Sequence, residues 1–200
     1  DFFTNGFSTE SYSGTNFSLS VYVYFVVFNR IYILKISQFT VTPFSIPFVK
    51  PLKIFGNTYS HREGIWLNLK WDNLSGWGEA APLPGFSDEY LKEVHYALEG
   101  FHQAIEGESF DNEELLALAA LHTEENPSTR FAIETALYDL FSQKEKKSMA
   151  SYLNPNSLTE IAVNGIAGIH MPGDGFAVIK VKVGFRNLFD EIENMVMLTK

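Results

Sequence analysis

Residues Ala177 to Gly184, AVIKVKVG, decide the fold, because aliphatic residues there alternate with two lysines. On a β-strand, residues two apart project from the same face, so Lys180 and Lys182 are predicted to stand side by side. Branched aliphatic residues favour a strand, and a glycine at its end allows a sharp turn. We therefore predict a strand that carries both amines on one face.

Two interpretations of this lysine pair are open. If the shared face is the dry mouth of a barrel, two ammonium groups about 6–7 Å apart disfavour each other's charge. Burial lowers the pKa of a lysine in the same direction, so one of the two becomes a base that works near neutral pH. If instead the sheet has one wet face, the alternating lysines only keep that face hydrated.

Composition excludes several classes of function. The 200 residues are 46% hydrophobic and 20% charged, which is typical of a folded globular chain. The formal net charge of −9 argues against a nucleic-acid groove and against a surface for anionic membranes. The absence of cysteine excludes disulfides, thiolate metal sites and a cysteine nucleophile, and it fits a cytoplasmic location.

Periodicity organises the first half of the chain. Residues 1–34 show no clear period and are interpreted as an N-terminal extension, with the hypothesis that Leu34 marks the true start. Residues 36–44 and 65–71 alternate as half-buried strands, and the second is predicted to form a hairpin with residues 77–80. The prolines between the two strands predict that residues 45–64 are mostly loop.

Helix signals follow the hairpin. Ser87 is predicted to cap a helix whose first turn holds Glu89, and Asp111 to Glu114 resembles a capping box. Asn126-Pro127 predicts the start of another helix. A short strand at residues 161–165, the lysine strand and a final amphipathic helix then predict the opening of a parallel α/β unit.

Three stretches together resemble the o-succinylbenzoate synthases of the enolase superfamily. Gly76 to Ser87, GWGEAAPLPGFS, is similar to a capping-domain loop of that family, and Arg130 to Leu140, RFAIETALYDL, is similar to its helix leading into the barrel. Ile179 to Gly184, IKVKVG, is similar to its Lys-x-Lys strand. The resemblance implies an α/β protein with an α+β capping domain at residues 35–125 and the start of a truncated (β/α) barrel at residues 126–200.

The resemblance also implies a reaction. The family consists of lyases that dehydrate the cyclohexadiene carboxylate SHCHC to o-succinylbenzoate in menaquinone biosynthesis. By this resemblance Lys182 is the base that removes the proton next to the carboxylate, Lys180 is its electrostatic partner, and Mg²⁺ stabilises the enediolate. The Mg²⁺ ligands and a second lysine are expected after Lys200, so the chain alone is expected to be inactive and to contain no catalytic metal ligands.

Two capping-domain stretches are expected to close over the small carboxylate substrate. In residues 57–64, Tyr59 and Arg62 are candidate substrate contacts, with Arg62 suited to hold a carboxylate. In residues 82–87, Phe86 is predicted to exclude water from the reacting face. An ordinary loop arginine and an interdomain packing residue are the respective alternatives.

Two further functions are open on the sequence. One is a dipeptide epimerase or N-acylamino acid racemase of the same superfamily, which uses the same lysine with a second base opposite. The other is a non-catalytic α+β binding module whose lysine strand is a wet edge. Three acidic residues of the capping loop and the helix are predicted to be structural in either case: Glu79, Glu134 and Asp139.

Overall fold

The structure, a computed structural model, describes residues 31–54, 56–166, 175–184 and 187–198. The chain consists of two compact units, Asp1–Tyr152 and Leu153–Lys200. In the described part of the chain, no helix has both the length and the apolar composition that crossing a membrane requires.

Two antiparallel sheets form the strand part of the first unit. Strands β2 (Gln38–Ile54), β3 (Asn57–Trp71) and β4 (Leu74–Ala80) follow one another in a three-stranded antiparallel sheet. Strands β1 (Ile33–Leu34) and β5 (Phe110–Asp111) pair in a separate two-stranded ladder. The predicted hairpin between β3 and β4 is confirmed.

The hairpin of β2 and β3 is longer than the sequence indicates, and the prediction of a loop over residues 45–64 is wrong. Pairing continues from Pro43 opposite Ile65 to Ile54 opposite Asn57, with a register shift between Pro47 and Leu52. Because β2 is an edge strand, a proline there can turn its missing N–H toward the open side without removing a ladder bond. The register shift accommodates the remaining irregularity.

Four helices complete the described part of the first unit: α1 (Leu91–Ile105), α2 (Asn112–His122), α3 (Pro127–Lys144) and α4 (Met149–Leu153). The predicted capping box of α2 is confirmed, because Asp111 Oδ1 accepts from the Glu114 amide at 2.8 Å and Glu114 Oε2 accepts from the Asp111 amide at 2.9 Å. The predicted start of α3 at a proline is also confirmed. Helix α1, however, begins at Leu91, so the prediction of Ser87 as its cap is wrong.

The core of the first unit lies between one face of the three-stranded sheet and the helices α1, α2 and α3. The apolar stripe predicted for α1 is buried, and alternate residues of β3 contribute from the sheet side. The largest fully buried side chains are Leu34, Leu67, Leu69, Val94, Leu98, Phe101, Ile105, Leu115, Ile133, Leu137, Leu140 and Phe141.

Strand β4 approaches α3 closely through two glycines on its core face. A Cβ atom on Gly78 would lie 1.9 Å from the Ala132 carbonyl oxygen, and one on Gly76 would lie 2.1 Å from the Ala136 carbonyl oxygen. Both distances are far inside van der Waals contact, so only glycine fits at these two positions. We call this packing the glycine–alanine contact.

Asp139 connects the same two elements by hydrogen bonds. Its Oδ2 accepts from the Trp77 amide at 3.1 Å, and its Oδ1 accepts from Gln143 Nε2 at 2.9 Å. Gln143 Nε2 also donates to the Ser75 carbonyl oxygen at 2.9 Å. This arrangement agrees with the structural role predicted for Asp139.

The end of the predicted N-terminal extension contacts the first unit. Leu34 is buried, and the Tyr32 hydroxyl donates to Glu145 Oε1 at 2.8 Å. Residues 1–30 of that extension lie outside the described residues. The boundary at residue 35 stays a prediction.

The second unit contains a parallel strand pair and a helix. Strand β6 (Gly165–Ile166) pairs in parallel with β7 (Ile179–Lys180), and α5 (Leu188–Leu198) follows. The Asn187 side chain caps this helix, because its Oδ1 accepts from the Asp190 amide at 3.0 Å. The order of strand, strand and helix and the parallel pairing are as predicted, but both strands are only two residues long, so the predicted strands over residues 161–165 and 177–184 are wrong in extent.

Candidate functional site

The two capping stretches singled out in the sequence line one cavity. It has a volume of about 210 Å³, and its walls include Tyr59, His61, Arg62, Pro82, Leu83 and Glu89. A larger and more open groove of about 630 Å³ lies beside β2, β3 and α1, and none of the predicted site residues lines it. We therefore take the smaller cavity as the candidate site of the first unit.

Arg62 holds the loop that forms one wall of this cavity. Its Nη1 donates to the Pro82 carbonyl oxygen at 2.9 Å, and its Nη2 donates to the Ala81 carbonyl oxygen. The side chain is half-buried. Because a guanidinium carries five N–H donors, Arg62 can hold this loop and still offer donors to a carboxylate in the cavity.

Residues 83–87 close a tight turn at the tip of that loop. The amides of Phe86 and Ser87 both donate to the Leu83 carbonyl oxygen at 2.9 Å, and the Leu83 amide donates to Ser87 Oγ at 2.9 Å. Gly85 adopts a φ of 84°, a conformation that glycine takes without strain. This turn employs the hydroxyl that the sequence analysis assigned to a helix cap, and it leaves the Phe86 side chain 70% exposed at the tip.

The sequence analysis missed the role of Glu89, which it placed in the first turn of α1. Glu89 instead precedes α1 and is buried, with an exposed fraction of 3%. Its Oε1 accepts from the Ser128 amide at 2.7 Å, at the start of α3. The sequence does indicate that the amides at the start of α3 need an acceptor from elsewhere, because the first turn of α3 has no acidic residue of its own.

The predicted lysine strand forms only in part, because β7 spans Ile179–Lys180 and Val183, predicted on the covered side, is exposed. Ile179 and Val181 are half-buried, whereas Lys180 and Lys182 are exposed. Lys182 lies outside the two-residue strand β7, so the shared face of the two amines stays a prediction. This exposure is compatible with the wet-face interpretation and with a catalytic pair that a further part of a barrel covers.

A magnesium site is not formed by the described residues. Over these ranges, no three His, Asp or Glu side chains come close enough together to hold a metal ion. No step of the reaction is therefore assigned to a metal held by this part of the chain.

The chain matches a family model within its first unit, and it also matches curated relatives. A family model described as "MenC, N-terminal domain" matches residues 36–140. The o-succinylbenzoate synthase of Yersinia pseudotuberculosis serotype I (strain IP32953) is 28% identical over 146 residues, which is 72% of this chain and 41% of that protein. The o-succinylbenzoate synthase of Enterobacter sp. (strain 638) is 41% identical over 80 residues, which is 40% of this chain and 22% of that protein.

Solved structures show the fold. The substrate-liganded L-Ala-D/L-Glu epimerase from Bacillus subtilis superposes with a TM-score of 0.67 at 22% identity, covering 82% of this chain and 49% of that one. The dipeptide epimerase from Methylococcus capsulatus, complexed with Mg and the dipeptide L-Arg-D-Lys, gives a TM-score of 0.66 at 21% identity, covering 82% and 50%. These likenesses confirm the predicted fold, with mixed sheet and helix consistent with a capping domain and part of a barrel.

The chain is shorter than the relatives that it matches. The chain spans less than half of the two curated relatives and about half of the two solved chains. The family model nevertheless matches residues 36–140, more than half of the 200 residues. The chain therefore belongs to the MenC family, whose N-terminal domain it contains.

Proposed function

We propose that the whole protein is an o-succinylbenzoate synthase, a carbon–oxygen lyase that dehydrates SHCHC in menaquinone biosynthesis. The observation that carries the proposal is the loop Gly76 to Ser87, which resembles the family's capping loop, lies in the range that the family model matches, and lines the candidate cavity with its Pro82–Pro84 part. The curated relatives support it, because both bear the name of this synthase. A cytoplasmic location belongs to the same proposal.

The proposed catalytic residues lie on the lysine strand. Lys182 is proposed to remove the proton next to the substrate's carboxylate, and Lys180 is proposed as its electrostatic partner. Mg²⁺ is the proposed cofactor of the whole protein, where it would stabilise the enediolate, and a related epimerase is complexed with Mg. Its ligands are assigned to no residue that the structure describes.

The proposed substrate contacts lie in the first unit. Arg62 and Tyr59 line the candidate cavity, and the guanidinium is the cation there that suits a substrate carboxylate. Phe86, at the exposed tip of the loop, is the side chain proposed to exclude water from the substrate. The proposed partner is therefore a small carboxylate. Neither a nucleic acid nor a membrane is proposed as a partner.

The test is Lys182→Ala in the full-length protein. We expect turnover of SHCHC to fall by about 100-fold to 10,000-fold, the usual contribution of a general base, while substrate affinity changes little. Lys146→Ala, which removes an exposed lysine after α3, serves as the matched control and is expected to retain turnover. Normal turnover in Lys182→Ala would show that Lys182 is not the base.

The alternative from the same superfamily is a dipeptide epimerase. Both solved structures described above are epimerases, and they cover 82% of this chain. The full-length protein should therefore be assayed with SHCHC and with L-Ala-L-Glu under identical conditions. Faster turnover of the dipeptide, by epimerisation at one α-carbon, would favour the epimerase.

The non-catalytic binding module is tested by amine modification. The exposure of Lys180 and Lys182 is the observation in its favour. In the full-length protein, protection of both amines from an acylating reagent supports a covered catalytic pair. Rapid labelling of both, as fast as labelling of Lys146, would support the wet-edge module.

A further inference from the structure

The start of α3 lacks a capping side chain of its own. The first N–H groups of a helix have no partner within the helix and form the positive end of its dipole. The N-cap residue Asn126 makes no side-chain hydrogen bond to this turn, and the turn contains no acidic residue. A partner for these amides therefore has to come from elsewhere in the fold.

Glu89 is that partner. Its carboxylate is 3% exposed, and Oε1 lies 2.7 Å from the Ser128 amide nitrogen, the second residue of α3. Three more buried polar atoms belong to the same place, namely Glu89 Oε2, Ser128 Oγ and Thr129 Oγ1, and none has a hydrogen-bond partner among the described residues. A buried carboxylate is costly unless it is bonded, so the geometry of Glu89 depends on this helix end.

The same loop is held at its other end by β3. Arg62 binds the carbonyl oxygens of Ala81 and Pro82, so residues 81–89 run between two charged anchors on different elements. Between the anchors, the backbone of residues 83–87 forms a turn of its own. Fixing both ends of such a loop fixes the direction in which its tip points.

We propose that Glu89 is a positioning residue that caps α3 from outside the helix and thereby fixes the loop of residues 81–90, including Phe86 at its tip. The role is independent of the reaction proposed above, because it rests on contacts within the first unit. It couples the wall of the candidate cavity to the helix that packs against β4.

The test is amide hydrogen exchange of the 200-residue chain, read residue by residue. In Glu89→Ala, the Ser128 amide and the amides of residue 83 and residues 85–90 are expected to exchange about tenfold faster or more, because a hydrogen bond to a charged group is lost. Core amides of β3, such as those of Leu67 and Leu69, are expected to change much less. Glu89→Gln keeps an acceptor oxygen and is expected to restore most of the protection.

A matched control removes the same charge beside the same helix end. Glu125→Ala deletes an exposed acid just before α3 and is expected to leave the exchange of Ser128 unchanged. Glu89→Asp keeps the charge but shortens the side chain, so the Ser128 amide is expected to lose protection as it does in Glu89→Ala. If Glu89→Ala does not fold, Glu89→Asp replaces it in the test. A uniform rise in exchange across the core and the loop, or an equal effect of Glu125→Ala, would overturn the positioning role.

Discussion

Gly76 and Gly78 set the distance between β4 and α3. The carbonyl oxygens of Ala132 and Ala136 occupy the space where a side chain on either glycine would begin. The small alanines on the helix complement the glycines on the strand, so two backbones meet where side chains ordinarily separate them. The Gly-Trp-Gly part of the family motif therefore has a packing role, and its tryptophan points to the opposite, exposed face.

Gly78→Ala is expected to lower the free energy of unfolding by about 3 kcal/mol, because its Cβ overlaps a helix carbonyl that cannot move alone. Urea denaturation measures the change. Gly100→Ala is the matched control, since a Cβ there meets its nearest atom at 3.4 Å. In the middle of α1 the added methyl is expected to raise stability by about 0.5–1 kcal/mol. A change within about 0.5 kcal/mol in Gly78→Ala would contradict the close packing.

At the scale of elements, the sequence predicts those features whose interacting residues lie within a few positions of one another. The capping box at Asp111 and the proline start of α3 were found because each signal and its partner lie in one turn. Ser87 was misassigned because two uses compete for its hydroxyl, and the turn back to Leu83 wins. Glu89 was missed because its partner, Ser128, is distant in the chain.

The extent of β2 illustrates the same limit of local signals. A proline rules out a central strand but not an edge strand. The residues of a strand do not by themselves determine whether the strand lies at the edge of its sheet. The lysine alternation is likewise a local signal, since residues two apart share a face in any strand, but β7 spans only Ile179–Lys180. Whether that face is covered depends on distant parts of a fold, so local sequence could not decide it.

Helices α3 and α4 pack through a cluster of rings. The ring centroids of Tyr138 and Phe141 are 6.0 Å apart, and Tyr152 of α4 lies 6.3 Å and 6.4 Å from them. Burial raises the pKa of the Tyr152 phenol to about 12, with Glu145, Tyr32 and Tyr138 adding to the effect. Burial also raises the pKa of the Tyr138 phenol, and Glu134 adds to this.

These pKa shifts predict a loss of stability at high pH. The unfolded tyrosine has a pKa of about 10, so the folded state holds its proton more tightly. The stabilisation is complete below about pH 10 and is lost as the pH rises toward about 12. Urea unfolding across this range measures it, and Tyr152→Phe is expected to show a shallower loss. Tyr96→Phe, at an exposed position of α1, should keep the full slope; an unchanged slope in Tyr152→Phe would refute the assignment.

At the scale of the whole molecule, the two units differ in how much apolar surface they bury. Every residue of the described core cluster lies between Leu34 and Phe141, in the first unit. The described part of the second unit instead exposes large apolar side chains, among them Leu158, Ile161, Val163, Val178, Val183 and Phe189. Hydrophobic stabilisation scales with buried apolar area, so the stability of this chain resides in its first unit.

Residues 31–152 alone are therefore expected to unfold cooperatively at the same urea midpoint as the 200-residue chain. The shorter chain is also expected to bind less of a hydrophobic fluorescent dye such as ANS, because it lacks the exposed side chains of the second unit. Circular dichroism and dye fluorescence on the two chains measure these outcomes. A midpoint that falls on shortening would show that the second unit contributes to the stability of the first.

The glycine–alanine contact limits how this domain can be recombined with relatives. A chimera that takes β4 from one parent and α3 from another inherits the two halves of the contact separately. Any parent with a larger residue at one of the glycine positions then places a methyl group inside a helix backbone. Crossover points before Leu74 or after Lys144 keep both halves of the contact from one parent. Crossover points between Ala80 and Pro127 require that both parents have glycine at positions 76 and 78.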